Sequence, residues 1–534
     1  MLANGLGRIA PVALAVLLSS CAGIGLREHY AKPVSTAIPP SNASPVAESI
    51  AKVAEVREAI NSESGFRVLT LSTNGLLSRL ALVDKARISV DLQYFIFAND
   101  STGKLLAQHL LAAADRGVRV RLLVDDINNK ATKPMLDALD AHDNIEVRVF
   151  NPFYTRQPGA LSKAAQMLLE FRRLNRRMHN KSFIVDNKVA VIGGRNIADD
   201  YFDAGSDYNY RDLDLLAVGP VVPQASKVFD AYWADEASVP ANAFKKAKNS
   251  QADLATLRTG LDRHASSFAA SDYVKAAAEE LPNGPTADRS GAWFWGPATL
   301  VADQPEKIET GDDRPGLRMA PALAGIIDSA KQEVTIISAY FVPSDAEDQQ
   351  FVGLLKRGVK LRLMTNSLAS TDEPAVQVGY AEHRRLLLGA GAEIFELKPR
   401  AGQKQSVTEF GKESAASLHA KAFVVDARYV FVGSMNMDNR SKLINTEMGF
   451  VVDSPALAKA ILDYFNVLRQ PANAYQVLAS GKDKDGDGKG DGSFIRWRTE
   501  EGGKEVIYNH EPEASAARRV EVMVMKLLPI DGLL

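Results

Sequence analysis

The chain of 534 residues contains one cysteine, Cys21. A single thiol forms no internal disulfide and no cysteine-based zinc site, so neither staple is open to the fold. Histidine is also sparse, eight in all, which gives weight to any pattern that uses it twice. Charge of one sign is not in excess, since 63 Lys and Arg stand against 65 Asp and Glu. That balance supplies no global positive field of the kind that draws nucleic acid. Beyond the N-terminus no apolar run approaches the roughly 20 residues that a membrane-crossing helix needs. What is present is an ordinary globular composition, 46% hydrophobic and 24% charged. A chain of this length favours two domains or a pseudo-dimer over one core.

Residues 1–20 carry Arg8, an apolar stretch from Ile9 to Leu18 and the small pair Ser19-Ser20, the layout of a secretory signal. Leu18-Ser19-Ser20-Cys21 resembles a bacterial lipobox, which implies cleavage before Cys21 and acylation there. Several acyl chains on one residue anchor stably where one does not. The alternative is a plain signal peptide with an incidental cysteine. Residues 21–45, with Pro33, Pro39, Pro40 and Pro45, read as a tether. The expected mature protein is a membrane-anchored lipoprotein facing the periplasm or cell exterior, an outer-membrane position included.

The pattern His-x-Lys-x4-Asp-x6-Gly-[Gly/Ser]-x-Asn occurs twice. It falls on His179, Lys181, Asp186, Gly193, Gly194 and Asn196, then on His419, Lys421, Asp426, Gly433, Ser434 and Asn436. Identical spacing in two copies implies one composite site built from two homologous halves. The repeat extends outward. Ile88–Phe97 (ISVDLQYFIF) and Val334–Val342 (VTIISAYFV), each centred on Tyr-Phe, are buried-strand candidates. A helical pattern follows each, then Arg116-Gly117 or Arg357-Gly358 before a second strand, with third strands near Ile145–Phe150 and Ala392–Leu397. Strand, helix, strand predicts an α/β fold with a largely parallel or mixed sheet flanked by helices in each half.

The halves are placed at 46–245 and 290–470, joined by a helical linker at 246–289 and followed by an extension at 471–534. Gly291–Gly296 (GAWFWG) opens the second half with two of the four tryptophans, expected to pack at the interface. Asp483–Asp491 imitates a calcium loop but places Phe494 where the bidentate Glu belongs, and so reads as a turn between strands. Arg518–Leu534, apolar after a basic start, is expected to dock on the body, a bilayer surface being the alternative.

His179 and Lys181 sit at i and i+2 and project to one side of a strand, as do His419 and Lys421. Asp186 and Asp426, at an odd offset, fall on the other face at turns and are assigned to structure. Gly193-Gly194 and Gly433-Ser434 permit close backbone approach, and the chain there is expected to start a helix whose amides face an anion. Asn196 and Asn436 add donors. Two His, two Lys and two Asn suit a phosphodiester: cations and donors for the oxygens, one imidazole to attack phosphorus, another to protonate the leaving oxygen. The scheme calls for no metal and no cofactor. A carboxylate should orient each imidazole. The candidates are Asp212, with Asp214 as its competitor, and Glu447, which lie 33 and 28 residues beyond the preceding motif histidine.

At these residues the chain resembles the phospholipase D superfamily, whose members carry the duplicated His-x-Lys-x4-Asp motif; the resemblance spans nearly the whole mature chain. Asn175–Phe183, Gly193–Ile197, Arg211–Pro220, Ser417–Ala422 and Asn445–Phe450 are most similar to bacterial cardiolipin synthases of the C type. The resemblance implies two phospholipase D-like halves in a pseudo-dimer with one active site at their interface. It implies a phosphohistidine on His179, with His419 as acid and then base. It implies phosphatidyl transfer to the glycerol head group of phosphatidylglycerol from phosphatidylethanolamine or a second phosphatidylglycerol. Hydrolysis to phosphatidate uses the same site and stays open. A nuclease is disfavoured by the acidic balance and tether, and an inactive lipid-binding scaffold by the intact His and Lys of both copies. Leu161–Arg177 offers Met167, Leu168, Leu169 and Phe171 before four arginines, which reads either as a membrane-facing surface or as a packed helix with a solvated basic end.

Overall fold

A computed structural model describes residues 32–41, 45–46, 48, 63–127, 132–153, 170–205, 208–244, 251–275, 292–308, 314–400, 415–480 and 494–527. The expected signal peptide, Cys21, Leu161–Leu169 and the Asp483–Asp491 segment lie outside the described residues. The chain divides into two units, 1–34 and 35–534. Of the first, only 32–34 are described, without regular structure. Everything below concerns the second.

The first half supplies β1 (Ser64–Leu69), β2 (Ser89–Tyr94), β3 (Arg119–Asp125), β4 (Ile145–Phe150), β5 (Ser182–Val185), β6 (Val189–Gly193), β7 (Tyr208–Arg211), β8 (Asp214–Val218), β9 (Ser238–Pro240) and β10 (Phe294–Gly296). The second supplies β11 (Ala298–Ala302), β12 (Glu333–Ser338), β13 (Phe341–Val342), β14 (Lys360–Asn366), β15 (Glu393–Leu397), β16 (Ala415–Leu418), β17 (Lys421–Val425), β18 (Tyr429–Gly433), β19 (Met437–Asp438), β20 (Met448–Asp453), β21 (Ala474–Ser480), β22 (Phe494–Glu501) and β23 (Lys504–Tyr508). One sheet runs β10-β1-β8-β6-β5-β2-β3-β4-β9 and the other β11-β20-β18-β17-β12-β14-β15-β21-β22-β23. The second order repeats the first strand for strand from β8-β6-β5-β2-β3-β4, so the halves are one fold used twice.

Within these two sheets only β2-β3-β4 and β12-β14-β15 are parallel. Their crossovers are the strand-helix-strand stretches visible in the sequence. Gly117 and Gly358 end the intervening helices at φ +90 and +85, a left-handed conformation that costs glycine nothing and turns the chain into the next strand. The flanking strands are antiparallel, so each sheet is mixed, and a short hairpin joins the two strands that carry each motif. β5 meets β6 through Asp186 and Asn187, both at φ +51. The equivalent turn between β17 and β18 uses Asp426 and Ala427 at φ +51 and +50.

Register corrects one match. Val90 lies opposite Val185, and Val334 opposite Val425, the same motif position. Tyr94-Phe95 therefore corresponds to Ser338-Ala339, and the shared Tyr-Phe lies two residues out of step.

Three cores stack through the unit. One outer core packs the helices of the first half on its sheet, and another does the same for the second half. The central core joins Ile184, Ile192 and Leu215 of the first sheet to Val424, Val432 and Phe450 of the second, with helices Val221–Ala234 and Pro455–Leu468. Phe66 and Phe450 meet across it, centroids 5.5 Å apart.

Several boundaries shift. Helix Gln251–Ala269, inside the expected linker, buries Leu254, Leu261 and Phe268 in the first half's outer core. Trp293 and Trp295 flank the opening of β10, which extends the first sheet rather than the second. There Trp295 covers Gly65 so closely that a Cβ would lie 2.6 Å from the indole, and the Arg67 guanidinium sits 4.7 Å over Trp293. After 470, β21 to β23 continue the second sheet, β21 and β22 pairing across the segment that imitates a calcium loop. Helix Ala516–Met525 has no buried residue, against the expectation that its apolar side chains dock on the body. No described helix is long and apolar enough to cross a membrane.

Candidate active site

The two motif histidines are delivered to one place by backbone pairing between the halves. His179 N donates to Thr446 O at 2.9 Å, and Thr446 N returns to Arg177 O at 2.9 Å. In the mirror arrangement β16 pairs with β7, and His419 N donates to Arg211 O at 2.9 Å. Each histidine strand thus lies beside the other half's acidic segment.

That pairing crosses the carboxylates. His179 Nδ1 donates to both oxygens of Glu447 at 2.9 Å, and His419 Nδ1 donates to Asp212 Oδ2 at 2.7 Å. Reading each acid against the histidine before it in sequence would have paired them the other way. Nδ1–H on a carboxylate leaves each Nε2 free to take part in chemistry. Asp214, the competitor for Asp212, is instead spent on Arg79 at 2.9 Å and Arg195 at 3.2 Å, buried with both.

The lysines complete the centre. Lys181 Nζ donates to His179 O at 2.7 Å and Lys421 Nζ to His419 O, and both side chains are buried. Burial, with Lys421 adding to it, lowers Lys181 to about 7, and burial lowers Lys421 to about 8. His179 is held well below the usual histidine range by burial and then by Lys181, Lys421, His419 and Arg440. His419 is lowered too, though the charge and hydrogen bond of Asp212 oppose the shift. Lysines of both halves act on each imidazole, the electrostatic mark of one site.

The two acids differ. Burial pushes Glu447 up to about 7. Burial also acts to raise Asp212, but His419, Lys421 and Arg195 overcome it and hold the carboxyl at about 2. At neutral pH Asp212 is ionised while Glu447 is near its midpoint.

The glycines serve a different end from the helix start expected of them. No helix opens at Gly194 or Ser434; a 3-10 turn comes only at Asp199–Tyr201 in the first half, and in the second the chain enters β19. A Cβ on Gly193 would lie 2.2 Å from Asp214 Oδ1, and one on Gly194 would lie 2.1 Å from Asp212 Oδ1. Small residues let the carboxylate segment press against the motif. Gly433 meets Met448 O in the same way, at 2.3 Å. Ser434, at the position of Gly194, uses its hydroxyl to donate to Glu447 Oε2 at 2.5 Å.

The asparagines diverge. Asn196 donates to the Tyr201 hydroxyl at 2.7 Å and accepts from Ile96 N at 3.2 Å, so part of its capacity holds the loop. Asn436 is buried with an Oδ1 that has no partner among the described residues. The motif aspartates stand at the hairpin turns. Asp186 accepts from the amides of Arg87, Ile88 and Ser89, and Asp426 from those of Lys331, Gln332 and Glu333.

Several residues at the site carry no motif signal. Phe95 lies edge-on to His179 at 5.1 Å, and Tyr201 and Tyr210 each lie 5.0 Å from His419. Tyr210 and Tyr340 donate their hydroxyls to Asp372, at 3.0 and 2.9 Å. Arg440 reaches across to Asn175, with bonds of 3.0 and 3.1 Å. Of the expected basic patch, Arg173 bonds Glu170 and Asn151, Arg176 reaches Lys307 O and Arg177 pairs with buried Asp125. Those three arginines brace the body, whereas Phe171 and Arg172 of the same stretch are exposed.

Comparison with known proteins identifies the family. The family described as cardiolipin synthase, PLD-like domain, matches residues 80–233 and 323–469. Cardiolipin synthase C of Escherichia coli (strain K12) is 38% identical over 475 residues, 88% of this chain and 96% of its own. A cardiolipin synthase of Clostridium perfringens (strain SM101 / Type A) is 26% identical over 72% of this chain and 66% of its own. Among solved structures, phosphatidylserine synthase of Haemophilus influenzae Rd KW20 superposes with a TM-score of 0.56 over 90% of this chain and 99% of its own. At 13% identity that likeness speaks for the fold.

Proposed function

The chain belongs to the phospholipase D-like family of cardiolipin synthase type, and from that premise we propose that it makes cardiolipin by phosphatidyl transfer between phospholipids. The observation that carries the reading is the pair of crossed His–carboxylate contacts, His179 with Glu447 and His419 with Asp212, beside two buried lysines. Both halves are needed for either pair.

In the first step His179 Nε2 attacks the donor phosphorus, the bond to the head-group oxygen breaks, and His419 Nε2–H protonates that oxygen. Lys181 and Lys421 neutralise charge on the non-bridging oxygens. In the second step His419 Nε2 takes the proton of an incoming glycerol hydroxyl, which attacks the phosphohistidine and frees His179. The acids support this division. Asp212, ionised throughout, steadies an imidazolium at His419, whereas His179 is the more strongly held neutral, as a nucleophile must be. Phosphatidylglycerol as acceptor, with phosphatidylethanolamine or phosphatidylglycerol as donor, fits the family. The lipobox at Cys21 adds a tethered enzyme at a membrane surface outside the cytoplasm.

The test is incubation of the purified protein with phosphatidylglycerol, with and without phosphatidylethanolamine, followed by mass spectrometry. Cardiolipin is the expected product, and phosphatidate alone would overturn the synthase reading. His179→Ala and His419→Ala should each abolish turnover. Labelling with radioactive palmitate, lost in Cys21→Ser, tests the anchor.

A further inference from the structure

The C-terminal helix carries an apolar ridge that nothing in the described fold covers. Ser515 caps Ala516–Met525 by accepting from Arg518 N at 3.1 Å. Val520, Met523 and Val524, with Leu527 in the following turn, recur at i, i+3, i+4 and i+7 and so share one face. They are 53, 61, 54 and 83% exposed. Single exposed apolar side chains are ordinary, but four in register on one helix are a surface. Arg519 and Lys526 are exposed at the two ends of the ridge.

The helix is also fixed to the reaction centre. Arg518 Nη2 donates to Thr371 O at 2.5 Å. Thr371 precedes Asp372, whose carboxylate accepts from Tyr210 and Tyr340, and Tyr210 packs on His419. Two hydrogen bonds and one residue step therefore separate Arg518, near the start of the helix, from the ring that borders the candidate acid. A packed protein partner would account for the apolar face alone. The combination of apolar ridge, flanking cations and attachment to the rim of a phospholipid-handling site has the chemistry of an interfacial helix.

We infer that helix Ala516–Met525 is the surface on which this enzyme rests on an anionic phospholipid bilayer, bringing the His179/His419 centre to its lipid substrates. The inference deepens the proposed lipid reaction, but its readout needs no turnover. Cys21 is the only cysteine, so a Cys21→Ser background lets single thiols be introduced into the full chain. Met523→Cys and Leu527→Cys, labelled with an environment-sensitive fluorophore, should shift to the blue on addition of phosphatidylglycerol vesicles and be quenched by brominated acyl chains. The shift should be smaller with neutral phosphatidylcholine vesicles. Glu521→Cys, off the ridge, should respond to neither. Equal response at all three positions, or none at 523 and 527, overturns the inference. So does a shift that follows protein concentration without lipid, which would assign the face to a second copy. In parallel, Met523→Asp with Leu527→Asp should lower turnover of vesicle phosphatidylglycerol about tenfold and spare a soluble nitrophenyl phosphodiester. Loss on both substrates, or on neither, counts against it.

Discussion

Replacing Asp212 by Asn should damage one half-reaction far more than the other. Asp212 is buried, bonds His419 Nδ1 at 2.7 Å and is held at about 2 where an ordinary aspartate stands at 3.8. That depression is on the order of 2 kcal/mol in favour of the charged form, roughly ten- to a hundredfold, lost when the amide takes its place. An amide can also donate to Nδ1 and favour the wrong tautomer, a change that costs on the order of 10³–10⁴-fold where an aspartate orients a catalytic histidine. The larger figure is therefore expected for phosphatidylglycerol, whose leaving alkoxide needs a proton. With phosphatidyl-p-nitrophenol the leaving group departs unprotonated, and His419 is not required as acid in the first step. Asp212→Asn should accordingly keep a rapid burst of nitrophenolate and lose steady-state turnover, because attack of water or an alcohol on the phosphohistidine still needs a base. Glu447→Gln should lose the burst itself, since Glu447 orients the nucleophile. Stopped-flow absorbance measures both. A burst preserved in Glu447→Gln and absent in Asp212→Asn would reverse the two histidines, and identical behaviour would refute the division of labour.

The pH profile of kcat/KM should be a narrow bell. Glu447 must be ionised, which is favoured above about 7, and Lys181 and Lys421 must be charged, which is favoured below about 7 and about 8; a profile flat from pH 6 to 9 would contradict this. Gly194→Ala sets a Cβ 2.1 Å from Asp212 Oδ1, so the carboxylate must leave His419. At least a hundredfold loss of turnover is expected, with about 2 kcal/mol of stability by urea titration. Asp186→Ala strands three backbone amides beneath a fully buried carboxylate and should cost about 3 kcal/mol, whereas the more exposed Asp426→Ala should cost about 1 kcal/mol. Equal denaturation midpoints for the two variants would refute that ranking.

The motif was legible because its logic is local: a histidine and a lysine two residues apart share a face wherever the strand goes. The strand-helix-strand units were legible for the same reason, through periodicity and the Gly117 and Gly358 helix ends. The partner of each acid was not. Glu447 meets a histidine 268 residues away and Asp212 one 207 residues away, and no spacing within a half encodes contacts between halves. The glycines misled because a Gly-Gly pair permits close approach without saying what approaches. Here it is the carboxylate of Asp212, not a phosphate at a helix end. Tyr210 and Asp372 left no trace because the duplication does not repeat them, and Tyr340 was visible only as half of a Tyr-Phe pair that lies two residues out of register.

Those unrepeated residues are where the two halves stop being equivalent. The end of β3 places Asp125 to accept from Met178 N at 3.0 Å, just before His179, and the end of β14 places Asn366 to accept from Leu418 N at 2.8 Å, just before His419. The scaffold role is the same, but the first version is charged and draws in Arg177, with Arg440 among the cations that act on His179. The second is neutral, and its neighbourhood adds a carboxylate, Asp372, which raises Lys421 and engages two tyrosines. A phosphodiester between the histidines therefore sees a surplus of cations on the His179 side. On the His419 side it sees a hydrogen-bonding, anionic wall. That polarity suits phosphorus bonded to His179 and an alcohol entering and leaving beside His419. A symmetric pair of histidines would have to choose between attacking phosphorus and protonating oxygen on every turnover. In the proposed mechanism the field of this site makes that choice in advance.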